Sequence, residues 1–327
     1  MSAAPGRRMI AVMALVPMVV ALALWAFAWP AARTAPRDLP IGLAGPATAV
    51  AQLEQRFEQQ DGAFDIHHYD NEADARAAIE DRVVYGAVAA GPKGPELLKA
   101  TGASPAVAQL LEQAVTAQAP AGTPVRVTDI APLPSEDPRG SALAASVLPL
   151  GLAGVASGAL VTLVGLRGVR AVATLAGAAV LVGITATAIA HSWLGVLDGD
   201  WWAEAGALSL AAAALGAAVA GLAALIGTPG IGLGGLLMVL LGNPFSGASS
   251  APEMLPEPVG AIGQLLPPGA GTTLLRSVAY FDGHGAAAPL LILSAWAALG
   301  LAAVAVGGRR RATATDNAVR PSPVPVA

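Results

Sequence analysis

Outside the segment from about residue 30 to residue 140, almost every charged residue lies between long apolar runs rather than inside them. A run of roughly 20 apolar residues matches a hydrocarbon core of roughly 30 Å at a rise of 1.5 Å per residue. Residues 9–29, 142–166, 171–190, 205–226 and 286–307 read as such spans, and a sixth, shorter run starts at Ile231. The pattern predicts a mainly α, polytopic six-helix membrane protein with an α/β domain inserted after its first helix. The predicted order is a cytoplasmic N-terminus (1–8), a first transmembrane helix (9–29) and an external α/β domain with a Pro-rich linker (30–141). A membrane domain of five further helices follows (142–307), with a disordered cytoplasmic tail at 308–327.

Composition narrows the chemistry. Apolar residues make up 55% and charged residues 12% of the chain, against about a quarter charged in soluble domains. Residues 30–141 carry nine Lys/Arg and fifteen Asp/Glu, a net −6, and an acidic domain offers nucleic acid no electrostatic footprint. The chain has no cysteine, which excludes disulfides, zinc–thiolate sites, iron–sulfur clusters and thiol nucleophiles. A disulfide-free external domain suits the bacterial cytoplasmic (inner) membrane. Arg7 and Arg8 give the first run a basic start. At about 21 residues, however, it exceeds the 7–15 of a signal core, so it is expected to stay as an anchor.

Charge and aromatics orient the helices. Arg7 and Arg8, Arg167 and Arg170, and Arg309, Arg310 and Arg311 flank the spans. All three clusters are cytoplasmic only if there are six crossings, with both termini inside. Trp25 and Trp29 end the first span, and Trp193, Trp201 and Trp202 lie between the third and fourth. Five of the six tryptophans thus share the outer interface, as an aromatic belt does. Trp296 alone is placed mid-span.

Within the acidic segment, strand-like and helix-like patterns alternate. Residues 41–44, 64–69, 83–90 and 125–130 read as strands. Residues 47–60 read as a helix with Val50, Leu53 and Phe57 on one face, and residues 71–82 as a more polar one. Ser104-Pro105 signals a further helix start, followed by the stripe Val107, Leu110, Leu111, Ala114 and Val115. Crossover helices imply a largely parallel sheet, and the domain is expected to fold alone.

Few residues invite a chemical role. Gly230, Gly232 and Gly235 spell GxGxxG, but an apolar run precedes them instead of a strand, so close helix packing or a loop break is the reading. Gly154 and Gly158 are spaced as a helix-contact pair. His67, His68, His191 and His284 all fall outside the spans and read as solvated, without a metal set. No catalytic, cofactor-binding or metal-binding residues, and no cofactor, are expected. The spans hold no Asp, Glu, Lys or Arg in their cores, which disfavours ion- or proton-coupled transport. The most particular stretch is 243–285, too polar and too Pro-rich to span. Pro244, Pro252, Glu253, Leu255, Pro256, Ile262, Pro267 and Pro268 mark it as short helices dipping into the outer leaflet, a re-entrant gate with Glu253 and Glu257 facing water. An external surface loop is the alternative.

Taken together, the chain resembles the ABC type-2 permease family, in particular phage-infection-protein-like members with a large external domain after the first span. The likeness rests on the insert ending IEDRVVYGAVAAGPKGPELL (79–98) and on the further spans behind it. It rests also on Gly242-Asn243-Pro244, Pro252 to Pro256 and Leu266-Pro267-Pro268 before the last span. The resemblance implies re-entrant external helices and the transmembrane subunit of an export system for a lipid, glycan or hydrophobic compound. It also implies contact with membrane lipid, a homodimer or related permease subunit, and a separate ATPase, since the chain has no Walker sequence. It departs from exporters of that family in its short cytoplasmic connections. A non-transporting envelope scaffold or binding protein, using the external domain for a partner, is the other reading.

Overall fold

Hydrocarbon leaves no water to satisfy a backbone, so charge-free runs close into helices. In the computed structural model five helices are long and apolar enough to cross a membrane: Met13–Ala31, Ser141–Leu163, Gly168–Trp193, Trp201–Ile226 and Ala287–Gly307. The protein is a mainly helical, multi-pass membrane protein with a small mixed sheet. The structure describes residues 5–60, 62–91, 94–118 and 125–319. It divides into two compact units, one of Met1–Ala131 with Leu240–Gln264, the other of Pro132–Val239 with Leu265–Ala327.

The first unit holds helix α1 (Pro5–Ala31) and an α/β fold. Strands β1 (Leu39–Ala44), β2 (Phe64–Tyr69), β3 (Gly86–Gly91), β4 (Gly94–Lys99) and β5 (Arg126–Asp129) form one sheet in the order β2-β1-β3-β4-β5. Helices α2 (Ala47–Glu58), α3 (Glu72–Glu80) and α4 (Pro105–Gln118) supply the crossovers. The apolar stripes read from the sequence point inward: Val50, Phe57, Val107, Leu111 and Val115 join Leu39, Ile41, Leu43, Val88 and Leu97 in the core. Phe57 packs edge-on to Phe64 at 5.1 Å. Asn71 caps α3 by accepting the Asp74 N–H at 3.0 Å, a contact of about 1 kcal/mol.

The sheet is largely parallel, as the crossover helices imply: β1 pairs parallel with β2 and β3, and β4 with β5; one antiparallel pairing makes it mixed. β4 pairs antiparallel with β3, from Gly86 against Lys99 to Gly91 against Gly94. β4 (Gly-Pro-Glu-Leu-Leu-Lys) opens on Gly-Pro and sets two leucines side by side, so it carries no alternation to read.

The second unit is organised around α7 (Trp201–Ile226). Of its most apolar window 56% is buried, against 17–22% for the other spans of this unit. Around it stand α5 (Ser141–Leu163), α6 (Gly168–Thr187, continued by a π-helical stretch, Ala188–Trp193) and α11 (Ala287–Val319). Small residues let the backbones meet. A Cβ on Gly154 would lie 2.6 Å from Leu215 Cβ, one on Gly183 2.5 Å from the Ala205 carbonyl, and those on Gly158 and Gly300 would strike the carbonyls of Gly216 and Ala217. Gly154 and Gly158 are therefore a helix-contact pair. Gly227 ends α7 at φ +79°, a conformation glycine adopts freely.

Helix direction follows from these contacts. Gly300 meets Ala217 and Gly307 meets Ala224, so α11 runs parallel to α7. The chain between them must return along the bundle, and it does so in two pieces. Helix α8 (Pro229–Gly235, continued as a π-helical stretch to Gly242) runs back along the second half of α7, with Gly230 against Leu222 and Gly234 against Val219. Helix α10 (Pro267–Tyr280) runs along the first half, from Gly271 at Ala211 to Val278 at Gly199, just ahead of α7. The run from Ile231, expected as a span, is thus only part of a 14-residue apolar helix, about 20 Å long and too short to cross alone. Close packing of Gly230 and Gly234 is its meaning. The tail is corrected too: α11 continues to Val319, because Arg-Arg-Arg-Ala-Thr-Ala holds no helix breaker. Residues 320–327 lie outside the described ones.

Candidate functional site

Pro267 and Pro268 open α10, where a missing N–H costs nothing. Both are buried in the second unit. Trp296 of α11 fixes this entry by donating its indole N–H to the Leu265 carbonyl at 2.8 Å. Beside it lies a shallow cleft lined by Leu150 and Gly151 of α5, Ala211 and Leu215 of α7, and Pro268 and Gly271 of α10. Its walls are almost wholly apolar. Thr272, the hydroxyl in the lining, is already bonded to the Pro268 carbonyl at 2.8 Å.

The rest of the Pro-rich stretch belongs to the first unit, where it is held by the α/β fold. Ala251 and Met254 are buried in the same core as β1, β3, β4 and α4. The Ala35 N–H donates to the Met254 carbonyl (3.0 Å) and the Arg37 N–H to the Glu253 carbonyl (2.9 Å). The Arg37 guanidinium also donates to the Met254 carbonyl (3.1 Å). Ser104, at the start of α4, donates to the Ser250 carbonyl at 2.7 Å. Pro252 begins a short 3₁₀ turn, Pro252–Met254. Glu253 was expected to face water; instead it is half-buried and accepts the Tyr85 hydroxyl at 2.8 Å. Arg82, whose pKa burial pulls below the ordinary guanidinium range, feels Tyr85 and Glu253 as well. Leu255 packs with Phe245, Val259, Leu241 and Trp29. Pro256 is buried, Pro244 half-buried, and Ile262, on α9 (Val259–Leu265), is exposed. A stretch expected to dip into lipid is therefore bound protein to protein over residues 250–254. Its partners sit over 140 positions earlier, beyond the reach of local pattern.

A polar cluster lies where α6, α7 and α10 end together. Asp200 caps α7 through the Ala203 N–H at 2.8 Å. One turn in, Glu204 is wholly buried; one oxygen accepts the Gly199 N–H at 2.8 Å and the other lies 2.9 Å from His191 Nδ1. Tyr280 donates to the Val196 carbonyl at 2.9 Å and stands within electrostatic reach of Arg276, Asp137, Glu204 and Asp198. Asp137 caps α5, accepting the Ser141 and Ala142 N–H groups at 2.9 and 2.8 Å. These facts correct one expectation: His191 pairs with Glu204, in the first turn of α7, rather than standing solvated. The span had been started at Ala205; Asp200 read as an N-cap would have brought Glu204 inside it.

The tryptophans lie as follows within each unit. Trp193, Trp201 and Trp202 share this end of the second unit, with Trp201 Nε1 donating to Ser192 Oγ at 3.2 Å and Trp202 72% exposed. Trp25 and Trp29 stack at 5.7 Å near the end of α1, and Arg33 sits 5.6 Å over the Trp29 ring. Arg167 and Arg170 are exposed at the opposite end of the second unit. His67 and His68 pair with Asp65 and Glu54 of the α/β fold, each at 3.1 Å. Among the described residues no group of three or more His, Asp or Glu could hold a metal ion. No family model, no curated protein and no solved structure matches the chain.

Proposed function

We propose that the chain is a permease-like subunit of the bacterial cytoplasmic membrane, of the ABC type-2 kind, through which a lipid, glycan-bearing lipid or other hydrophobic compound moves outward with energy from a separate ATPase. The observation that carries this reading is the apolar cleft where α10 begins partway along α7. A crossing interrupted between helices is where membrane proteins open a path for cargo, and these walls suit an acyl chain. The parallel course of α7 and α11 supports six crossings, five continuous and one made by α8 and α10. With six crossings, the charge rule favours Arg167, Arg170 and the Arg309 cluster on the cytoplasmic side with the N-terminal arginines.

The test fills the cleft. A Cβ on Gly151 meets nothing within 4 Å, so Gly151→Leu occupies the space without moving backbone. Cells producing the native chain with its ATPase should retain several-fold less of at least one compound from a panel of lipophilic dyes and fluorescent phospholipids. Gly151→Leu should restore retention at an equal protein level. Native protein that alters retention of none of them would refute transport. The second reading, an envelope scaffold, would then stand. It draws on the burial of residues 250–254 in the α/β core and on connections as short as Gly227–Thr228, which leave little surface for an ATPase.

A further inference from the structure

We propose that Glu204 and His191 form a proton-binding site that takes its proton from the side of Trp193, Trp201 and Trp202. Glu204 has no exposure, whereas the His191 side chain is 30% exposed. The imidazole therefore joins solvent to a carboxylate inside the bundle. With Nδ1–H donating to Glu204, Nε2 accepts a proton from hydronium and leaves water. The resulting imidazolium keeps its bond to the carboxylate, which stabilises the new charge.

A second observation points to the same place. The face of α6 turned to α7 is a stripe of every fourth residue, Ala171, Leu175, Ala179, Gly183 and Thr187, all buried. His191 occupies the next step of that stripe. The Thr187 hydroxyl is fully buried and has no hydrogen-bond partner, not even the carbonyl one turn back that a helical threonine ordinarily takes. An orphan hydroxyl costs about 1–3 kcal/mol, and one kept a turn from a buried acid–imidazole pair fits a site that takes up a proton with its water. Helix capping alone does not account for this, because Asp200 already caps α7 and capping needs neither His191 nor Thr187.

Charged and titratable groups around the pair come from every packed element. Asp198 and Asp200 lie on the connection before α7, Arg276 and Tyr280 on α10, and Glu136 and Asp137 ahead of α5. Asp198 faces both Glu204 and Tyr280, and a second carboxylate beside the pair favours holding a proton. Tyr280 ties α10 to the connection that carries Gly199, so the charge on the pair bears on the helix that borders the cleft.

The chain has four histidines, so replacing His67, His68 and His284 by Gln leaves His191 alone. Tryptophan emission of this purified full-length protein is then followed against pH, with Trp201 as reporter through its bond to Ser192. One transition is expected between about pH 5 and 8, where imidazole changes charge. It should vanish in His191→Gln. It should be altered in Glu204→Gln, which removes the anionic partner of the imidazole. No transition with His191 alone, or one unchanged by His191→Gln, would overturn the proposal. Should Glu204→Gln fail to fold, the comparison with and without His191 decides by itself.

Discussion

Exchange of Met254 for Asp is expected to unfold the α/β fold of the first unit while leaving the second unit helical. Met254 lies in the core with Leu39, Leu43, Val88 and Val107, 5% exposed. An unpartnered charge there costs roughly 3–5 kcal/mol, a large share of the 5–15 kcal/mol that holds a domain together. Brief proteolysis of the purified protein checks it. Cleavage should become rapid between residues 39 and 129 in Met254→Asp and stay slow in Glu257→Gln, whose side chain is exposed. The same contact revises the expectation that the domain folds alone. A fragment of residues 36–134 lacks Ala251, Met254 and the Ser250 carbonyl. It should melt well below the domain in the full chain and be stabilised by an added peptide of residues 246–258.

Gly158→Leu should abolish the packed bundle of the second unit. Its Cβ would strike the Gly216 carbonyl and lie 2.9 Å from Val219 Cβ. Neither neighbour is a flexible side-chain tip, so α5 must move away from α7 at a cost of about 3 kcal/mol or more. Gly300→Leu should do the same between α11 and α7. Gly177→Leu is the control, for nothing lies within 4 Å of its Cβ. Gel filtration in detergent should give a monodisperse peak for the control and aggregate for the two contact variants.

Much of this architecture was legible because it is written in local periods. Val50, Leu53 and Phe57 at helical spacing place α2 within two residues of its ends, and Ser104-Pro105 before an apolar stripe marks the start of α4. The long spans announce themselves by the absence of charge. What escaped is long-range or short. β4 has no period to read over six residues. The fate of residues 250–254 depends on Ser104, Tyr85 and Arg37, which no local window includes. Glu204 escaped through a boundary drawn one residue late. The interrupted return of α8 and α10 escaped because each piece is too short for a span, and only the parallel contacts of α11 along α7 show that the chain runs back between them; that this return is a sixth crossing is part of the proposed topology.

That crossing is the centre of the account, and a chain without cysteine allows it to be tested by single-cysteine labelling. Thr228 follows α7 and Asp282 precedes α11, and both are exposed. Cysteines at these positions are probed with an impermeant maleimide on intact and permeabilised cells, with Leu194 and Val169, 43% and 84% exposed, as references for the two ends of the bundle. Positions 282 and 194 should react in intact cells, and positions 228 and 169 only after permeabilisation. Reaction of positions 228 and 282 on the same side would mean that nothing crosses between α7 and α11, and would contradict the proposed topology.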